Sequence, residues 1–171
     1  MRREDASKVG RPLHEPAFTL AVDILTAALA EPPSSAAVGQ CFSTTKRRFA
    51  VGDISAYGQS NLDLASAASS AQVAVILIDA RKGGLVETRT HSRIVRLIGV
   101  RRAVIIVNKM DLIGWDEQRY AEIALDYQSL QNELRFDSLE FIPACALTGD
   151  NLLQRARQTP WYGGASLIRL L

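Results

Sequence analysis

Two apolar runs constrain this chain more than anything else in it. "VAVILIDA" (73–80) and "RAVIIVNK" (102–109) are almost unbroken and rich in Val and Ile. Strands buried on both faces read this way, and such strands belong to parallel sheets covered by helices. Parallel neighbours need a crossover of a dozen or more residues, usually a helix. "VETRTHSRIVRLIGV" (86–100) supplies one, apolar at helical spacing and ending near Gly99. "DEQRYAEIALDYQSLQNEL" (116–134) reads as a second long helix, and "LEFIPACAL" (139–147) as a third buried strand. Strand and helix therefore alternate from residue 73 onward, which specifies a doubly wound, mostly parallel α/β domain. In such sheets ligands bind outside the carboxyl ends of the strands. Asn108 and Cys145 both stand at such ends.

The upstream half is less regular. Residues 1–16 are polar with two prolines and read as a flexible arm. Residues 17–171 then form the domain. "AFTLAVDILTAALA" (17–30) contains good helix formers and predicts a helix, closed by the prolines of "EPPSS" (31–35). "AVGQCFST" (37–44) and "RRFAVGDI" (47–54) predict two strands of a hairpin, linked through Thr45-Lys46. "SNLDLASAASSA" (60–71) predicts a small-residue helix with Ser60 as its N-cap.

Composition excludes several classes. With 47% hydrophobic and 22% charged residues, the chain is an ordinary globular sequence. A net charge of +2 argues against a nucleic-acid or membrane-surface partner. The two cysteines, Cys41 and Cys145, are far apart and suggest neither a disulfide scaffold nor a zinc site, so a reducing cytoplasmic setting is expected. No apolar run reaches the ~20 residues that span a bilayer.

The chemistry concentrates in "NKMD" (108–111). Guanine presents an N1–H and an exocyclic amine on one edge, and an aspartate carboxylate accepts from both at once. Adenine cannot make that pair. Asp111 fits this role, Asn108 can bond the N7 side, and the apolar stem of Lys109 can lie along the base. A second loop must then offer backbone N–H groups to O6. "ACAL" (144–147), after the next strand, stands in the right place, with Cys145, Ala146 and Leu147 as the contacting residues. Four residues alone are a weak motif; the strand before, the helix after and the loop on the next strand strengthen it. Asp79, ending a buried strand, is expected to pair with Arg81 or Lys82. His91 is expected on a helix surface, and Trp161-Tyr162 in packing.

At these stretches the chain resembles a family. "FSTTKRRFAVGD" (42–53), "VAVILIDARKGGLVETRTHSRIV" (73–95), "VIIVNKMDLI" (105–114), "FIPACALTGDN" (141–151) and "PWYGGASLIRLL" (160–171) resemble the GTPase domain of the large subunit of bacterial sulfate adenylyltransferase, a relative of translation elongation factor Tu. The resemblance implies a P-loop-GTPase-like fold, GTP or GDP as ligand, and a small catalytic subunit as partner. In that family the small subunit adenylylates sulfate and the large subunit hydrolyses GTP to drive the step. It also implies guanine recognition by Asn108, Lys109 and Asp111 with Cys145, Ala146 and Leu147. Asp53 matches the aspartate that reaches magnesium through water, and Ser34 falls on the magnesium-ligating threonine.

The departures are specific. The family motif D-T-P-G-H reads "DISAY" (53–57) here, so Ala56 replaces the glycine that meets the γ-phosphate and Tyr57 the water-orienting histidine. No G-x-x-x-x-G-K-[ST] string occurs in the 171 residues. Loss of about four charge-assisted hydrogen bonds of roughly 1.5–3 kcal/mol each removes on the order of 6–12 kcal/mol of phosphate binding. Weak GTP or GDP binding, compromised magnesium binding and doubtful hydrolysis are therefore expected, with a non-catalytic interaction module or an inactive remnant as alternatives. The strand that carries the P-loop lies in the middle of the family's sheet. Without it the sheet closes up, "AFTLAVDI" (17–24) fills the slot, or a partner is needed; a helix over 17–30 is the expectation.

Overall fold

In the computed structural model, residues 21–26, 38–44, 47–55, 69, 71–84 and 86–171 are described. They build one six-stranded sheet in the order β2-β3-β1-β4-β5-β6. The strands are β1 (Ala21–Thr26), β2 (Val38–Ser43), β3 (Arg48–Ser55), β4 (Val73–Asp79), β5 (Arg102–Asn108) and β6 (Ser138–Pro143). β4, β5 and β6 are mutually parallel, in the register Asp79↔Asn108 and Val107↔Pro143. The helices are α1 (Val86–Leu97), α2 (Glu117–Gln128), and the short α3 (Gln131–Leu134) and α4 (Leu167–Leu170). The doubly wound, mostly parallel α/β reading therefore holds for the half of the chain that carries the guanine motif.

Alternation along the central strands makes two cores, because successive side chains point to opposite faces. Ala74, Ile76 and Ile78 of β4 and Ala103, Ile105 and Val107 of β5 face Val95 of α1 and Ile123 and Tyr127 of α2. Val73, Val75, Val104 and Ile106 face the other way and join Phe49 and Ile142, with Leu167, Ile168 and Leu171 packed against them. Tyr127 closes the first core. Its hydroxyl meets Ser92 Oγ at 2.6 Å, and burial pushes its pKa up to about 12.

The expected helix over 17–30 is corrected. Ala21–Thr26 is a strand in the interior of the sheet, antiparallel to β3 on one side and to β4 on the other. Residues 17–20 and 27–30 lie outside the described residues. The physical reason is the pairing demand of two inner strand edges. Their exposed N–H and C=O groups need partners, and that demand outweighs a helix preference of a few tenths of a kcal/mol per residue. "AVDILT" contributes Val, Ile and Thr, which suit a pleated strand. Since β1 opposes both neighbours, β3 runs in the same direction as β4.

The hairpin is present, and its turn is drawn in by the Thr44 N–H donating to Arg47 O at 2.8 Å. Thr45 and Lys46 lie outside the described residues, as do the arm at 1–16, Ser34 and nearly all of the helix expected over 60–71. The helix expected over 116–134 is broken. α2 ends at Gln128, where the Ser129 hydroxyl donates to Asp126 O at 2.6 Å and Leu130 N–H reaches back only three residues, to Tyr127 O. A serine that bonds local backbone competes with the helical pattern. The third strand ends at Pro143, two residues before Cys145.

The placement of β1 is testable. Ile24 pairs with Gly52 on one side and Ala74 on the other. Ile24→Pro removes a ladder donor from an interior strand and should cost about 3 kcal/mol or more in urea unfolding. Unchanged stability would show that these residues do not belong to the sheet.

Candidate functional site

The carboxyl ends of β4, β5 and β6 meet at one edge, and Asn108 joins them. Its side chain is buried at the last position of β5. Its backbone oxygen accepts from Ala80 N–H, just past β4, at 2.9 Å. Its Oδ1 accepts from Ala146 N–H, past β6, also at 2.9 Å. Because Oδ1 is occupied, the amide presents Nδ2, a donor, to whatever lies beyond. A ring nitrogen such as guanine N7 is an acceptor and would be served by it.

Lys109 follows in a left-handed conformation, φ 64° and ψ 34°, unusual for a residue with a side chain. Two backbone bonds hold the turn: Met110 N–H to Ala144 O at 3.1 Å and Leu112 N–H to Lys109 O at 3.1 Å. Met110 is fully buried and anchors the loop beneath the surface. Met110–Ile113 forms one 3₁₀ turn, closed by Gly114 at φ 66°. Asp111 stands on that turn with its carboxylate exposed and, among the described residues, without a hydrogen bond or ion pair. It can accept two donors from one ligand edge. α2 starts soon after, capped by the Asp116 carboxylate, which accepts from Arg119 N–H at 3.1 Å.

Asp79 faces the same edge. Its carboxylate takes Arg81 N–H and Nε at 3.0 Å each and Arg81 Nη2 at 2.6 Å. The expected pairing with Arg81 is thus present. Lys109 Nζ lies 3.2 Å from Asp79 Oδ2, a contact the sequence reading did not anticipate. The Arg81 guanidinium, with Lys109 beside it, holds the Asp79 carboxyl well below the usual carboxylate range.

The second loop is more tightly built than its sequence suggests. Cys145 is buried, and its N–H donates to Asp150 O at 3.3 Å while its carbonyl accepts from Gly149 at 2.9 Å. Ala146 N–H is committed to Asn108. Of the three residues expected to meet O6, only Leu147 keeps an N–H without a partner among the described residues, and its side chain is 82% exposed. A ligand oxygen at this loop would therefore meet an open N–H at Leu147, with Ala146 N–H already committed.

Asn151 was not singled out by the sequence, yet it organises this loop. It is fully buried in a left-handed conformation, φ 57°. Its Nδ2 donates to Pro143 O at 2.7 Å and to Thr159 Oγ1 at 3.0 Å, and its Oδ1 accepts from Ala156 N–H at 2.8 Å. The signal available was an Asn behind Gly-Asp, since Asn tolerates this backbone better than most residues.

The metal candidates are less defined. Asp53 lies on β3 opposite Asp23 and Val38, while Ser34 is outside the described residues. Among the described residues no group of three or more His, Cys, Asp or Glu could hold an ion. His91 is half-buried rather than on the open helix surface, and burial lowers its pKa. Trp161 and Tyr162 pack as expected, both against Tyr120 at ring-centroid distances of 5.2 and 6.4 Å.

Comparison with known proteins gives the family of the chain. The model of the elongation factor Tu GTP binding domain matches residues 36–166, and the chain belongs to that family. Within it, the similarity runs to the sulfate-activating branch. The chain is 41% identical over 168 residues to sulfate adenylyltransferase subunit 1 of Photobacterium profundum, covering 98% of this chain and 35% of that one. It is 48% identical over 130 residues to the bifunctional enzyme CysN/CysC of Xylella fastidiosa, covering 76% and 21%. The chain thus spans about a third or less of these relatives. Among solved structures, sup35 complexed with GMPPNP matches with a TM-score of 0.59 and 28% identity over 76% of this chain and 33% of that one.

Two outcomes are expected. Asn151→Ala strands three buried polar groups at roughly 1 kcal/mol or more each, so chemical denaturation should show a loss of about 3 kcal/mol. The folded-state pKa of Asp79 is depressed, so its ion pairs stabilise the fold fully above the unfolded value of about 3.9, and less as pH falls below it. The stability gap between the unaltered protein and Asp79→Asn should therefore be widest near neutrality and shrink below about pH 4.

Proposed function

We propose that the chain is a guanine-nucleotide-binding domain of the sulfate-activation type. Asn108, Lys109 and Asp111 hold the base from one side, and the Cys145-Ala146-Leu147 loop closes the other. The observation that carries this reading is the bond from Ala146 N–H to Asn108 Oδ1. It ties the two base loops together, turns Nδ2 outward as a donor, and leaves the Asp111 carboxylate open beside it. The GTP-binding family and the nucleotide-bound structural relative support the same ligand class.

Binding in this reading is weak and turnover negligible. The sequence contains no P-loop string, and Ala56-Tyr57 stand where the family has Gly-His. Phosphoryl transfer depends almost wholly on positioning and charge stabilisation of the phosphates. Asp53 and Ser34 are the residues that would hold a magnesium ion, and such an ion would take most of its oxygens from phosphates and water. By kinship with subunit 1 of sulfate adenylyltransferase, the partner is that enzyme's small catalytic subunit, with sulfate activation as the process served.

A fluorescent GDP analogue, titrated beside its adenine counterpart, tests the reading. Saturable guanine-selective binding is expected, with Asp111→Asn weakening it about 10- to 100-fold, the range of one or two charge-assisted hydrogen bonds. Equal binding of both nucleotides, or none at millimolar concentration, would refute the base pocket. GTP hydrolysis should not exceed the rate in buffer; a measurable turnover would refute the inactivity.

A further inference from the structure

Lys109 is held in two ways at once. Its backbone sits in the left-handed region, which turns the side chain back toward the end of β4. There its ammonium meets Asp79 Oδ2 at 3.2 Å, on a carboxylate whose side chain is only 9% exposed. Asp79 in turn cannot swing away, because Arg81 grips both of its oxygens through Nε and Nη2 and its own N–H. The turn Asp79–Gly83 is closed by Lys82 and Gly83 N–H groups, both donating to Asp79 O at 2.9 Å. A nearly buried anion thus stands on a rigid turn, one strand away from the base loop.

We infer that Asp79 is a positioning residue for nucleotide: by fixing the Lys109 ammonium, it lays the lysine stem in place as cover for the base before any ligand arrives. This rests on the guanine-nucleotide reading of the site. A free lysine side chain samples many rotamers and loses them when a ligand is bound; one already paired loses few. Asp79 touches neither base nor phosphate in this scheme. Selectivity between guanine and adenine belongs to Asp111, so loss of Asp79 weakens binding of GDP without relaxing that preference.

Two measurements test this. The first needs no nucleotide. The chain has four lysines, at 8, 46, 82 and 109, so acetic anhydride labelling read by mass spectrometry resolves each of them. Asp79→Asn should raise the acetylation rate of Lys109 about fivefold relative to exposed Lys82, as expected for releasing a partly buried ion pair. The second is GDP titration of Asp79→Asn, Lys109→Met and the double variant. Each single variant should bind about fivefold more weakly with guanine preference intact, and the double variant should bind no worse than Lys109→Met. Additive losses would mean that Asp79 acts on the fold generally and would overturn the inference, as would unchanged Lys109 reactivity. Failure of the unaltered protein to bind GDP would overturn the base-pocket reading instead; the labelling would still decide whether Asp79 fixes Lys109.

Discussion

One buried amide carries the architecture of the strand ends. Asn108 closes β5 and binds the backbone past β4 through its carbonyl and the backbone past β6 through Oδ1. Beyond the strand ladders, two hydrogen bonds to this one residue tie the ends of the three parallel strands together. An unpaired amide at that depth would cost a few kcal/mol, so both neighbouring loops are drawn into register. Everything proposed about the base pocket depends on this. The outward donor, the left-handed Lys109 and the exposed Asp111 follow in consecutive positions from the residue that is locked.

Around that lock the loops are rigid for different reasons. The Lys109–Gly114 turn is held by one backbone bond to Ala144 O, by the Leu112 N–H to Lys109 O bond and by the burial of Met110. The loop past β6 is held by Asn151, whose side chain bonds two backbone groups, Pro143 O and Ala156 N–H, and the Thr159 hydroxyl. Asp79 adds a charge that is satisfied locally by Arg81 and also reaches across to Lys109. A binding edge of this kind is built mainly from main-chain groups and short polar side chains, so its shape is set before a ligand arrives. The consequence is division of labour. The Asp111 carboxylate stays exposed, while its neighbours are already committed to structure.

Much of this was legible in the chain itself. β4 and β5 were evident because both faces are buried and the Val and Ile runs leave no other reading. The guanine motif was legible because its residues are consecutive and sit at a strand end. The Asp79–Arg81 pair was also anticipated, being two residues apart. Less accessible were contacts between segments far apart in sequence. Asp79 and Lys109 are thirty positions apart, but the β4–β5 register sets Asp79 opposite Asn108, the residue before Lys109, and Ala146 N–H, which the sequence leaves open, is spent on Asn108. The role of Asn151 is not legible in the sequence, because a lone asparagine after Gly-Asp usually marks only a turn.

The sequence by itself therefore determined the alternation of buried strands and helices from residue 73 onward, and the make-up of the Asn108–Asp111 motif at a strand end, because both are written in local periodicity and consecutive residue types. Only the tertiary structure decided the fate of residues 21–26. Their local preference reads as helix, and the sheet makes them a strand because two facing edges of unpaired backbone need partners. It likewise decided which N–H groups of the second loop stay open, since hydrogen-bond capacity is spent between neighbours in space and not between neighbours in sequence.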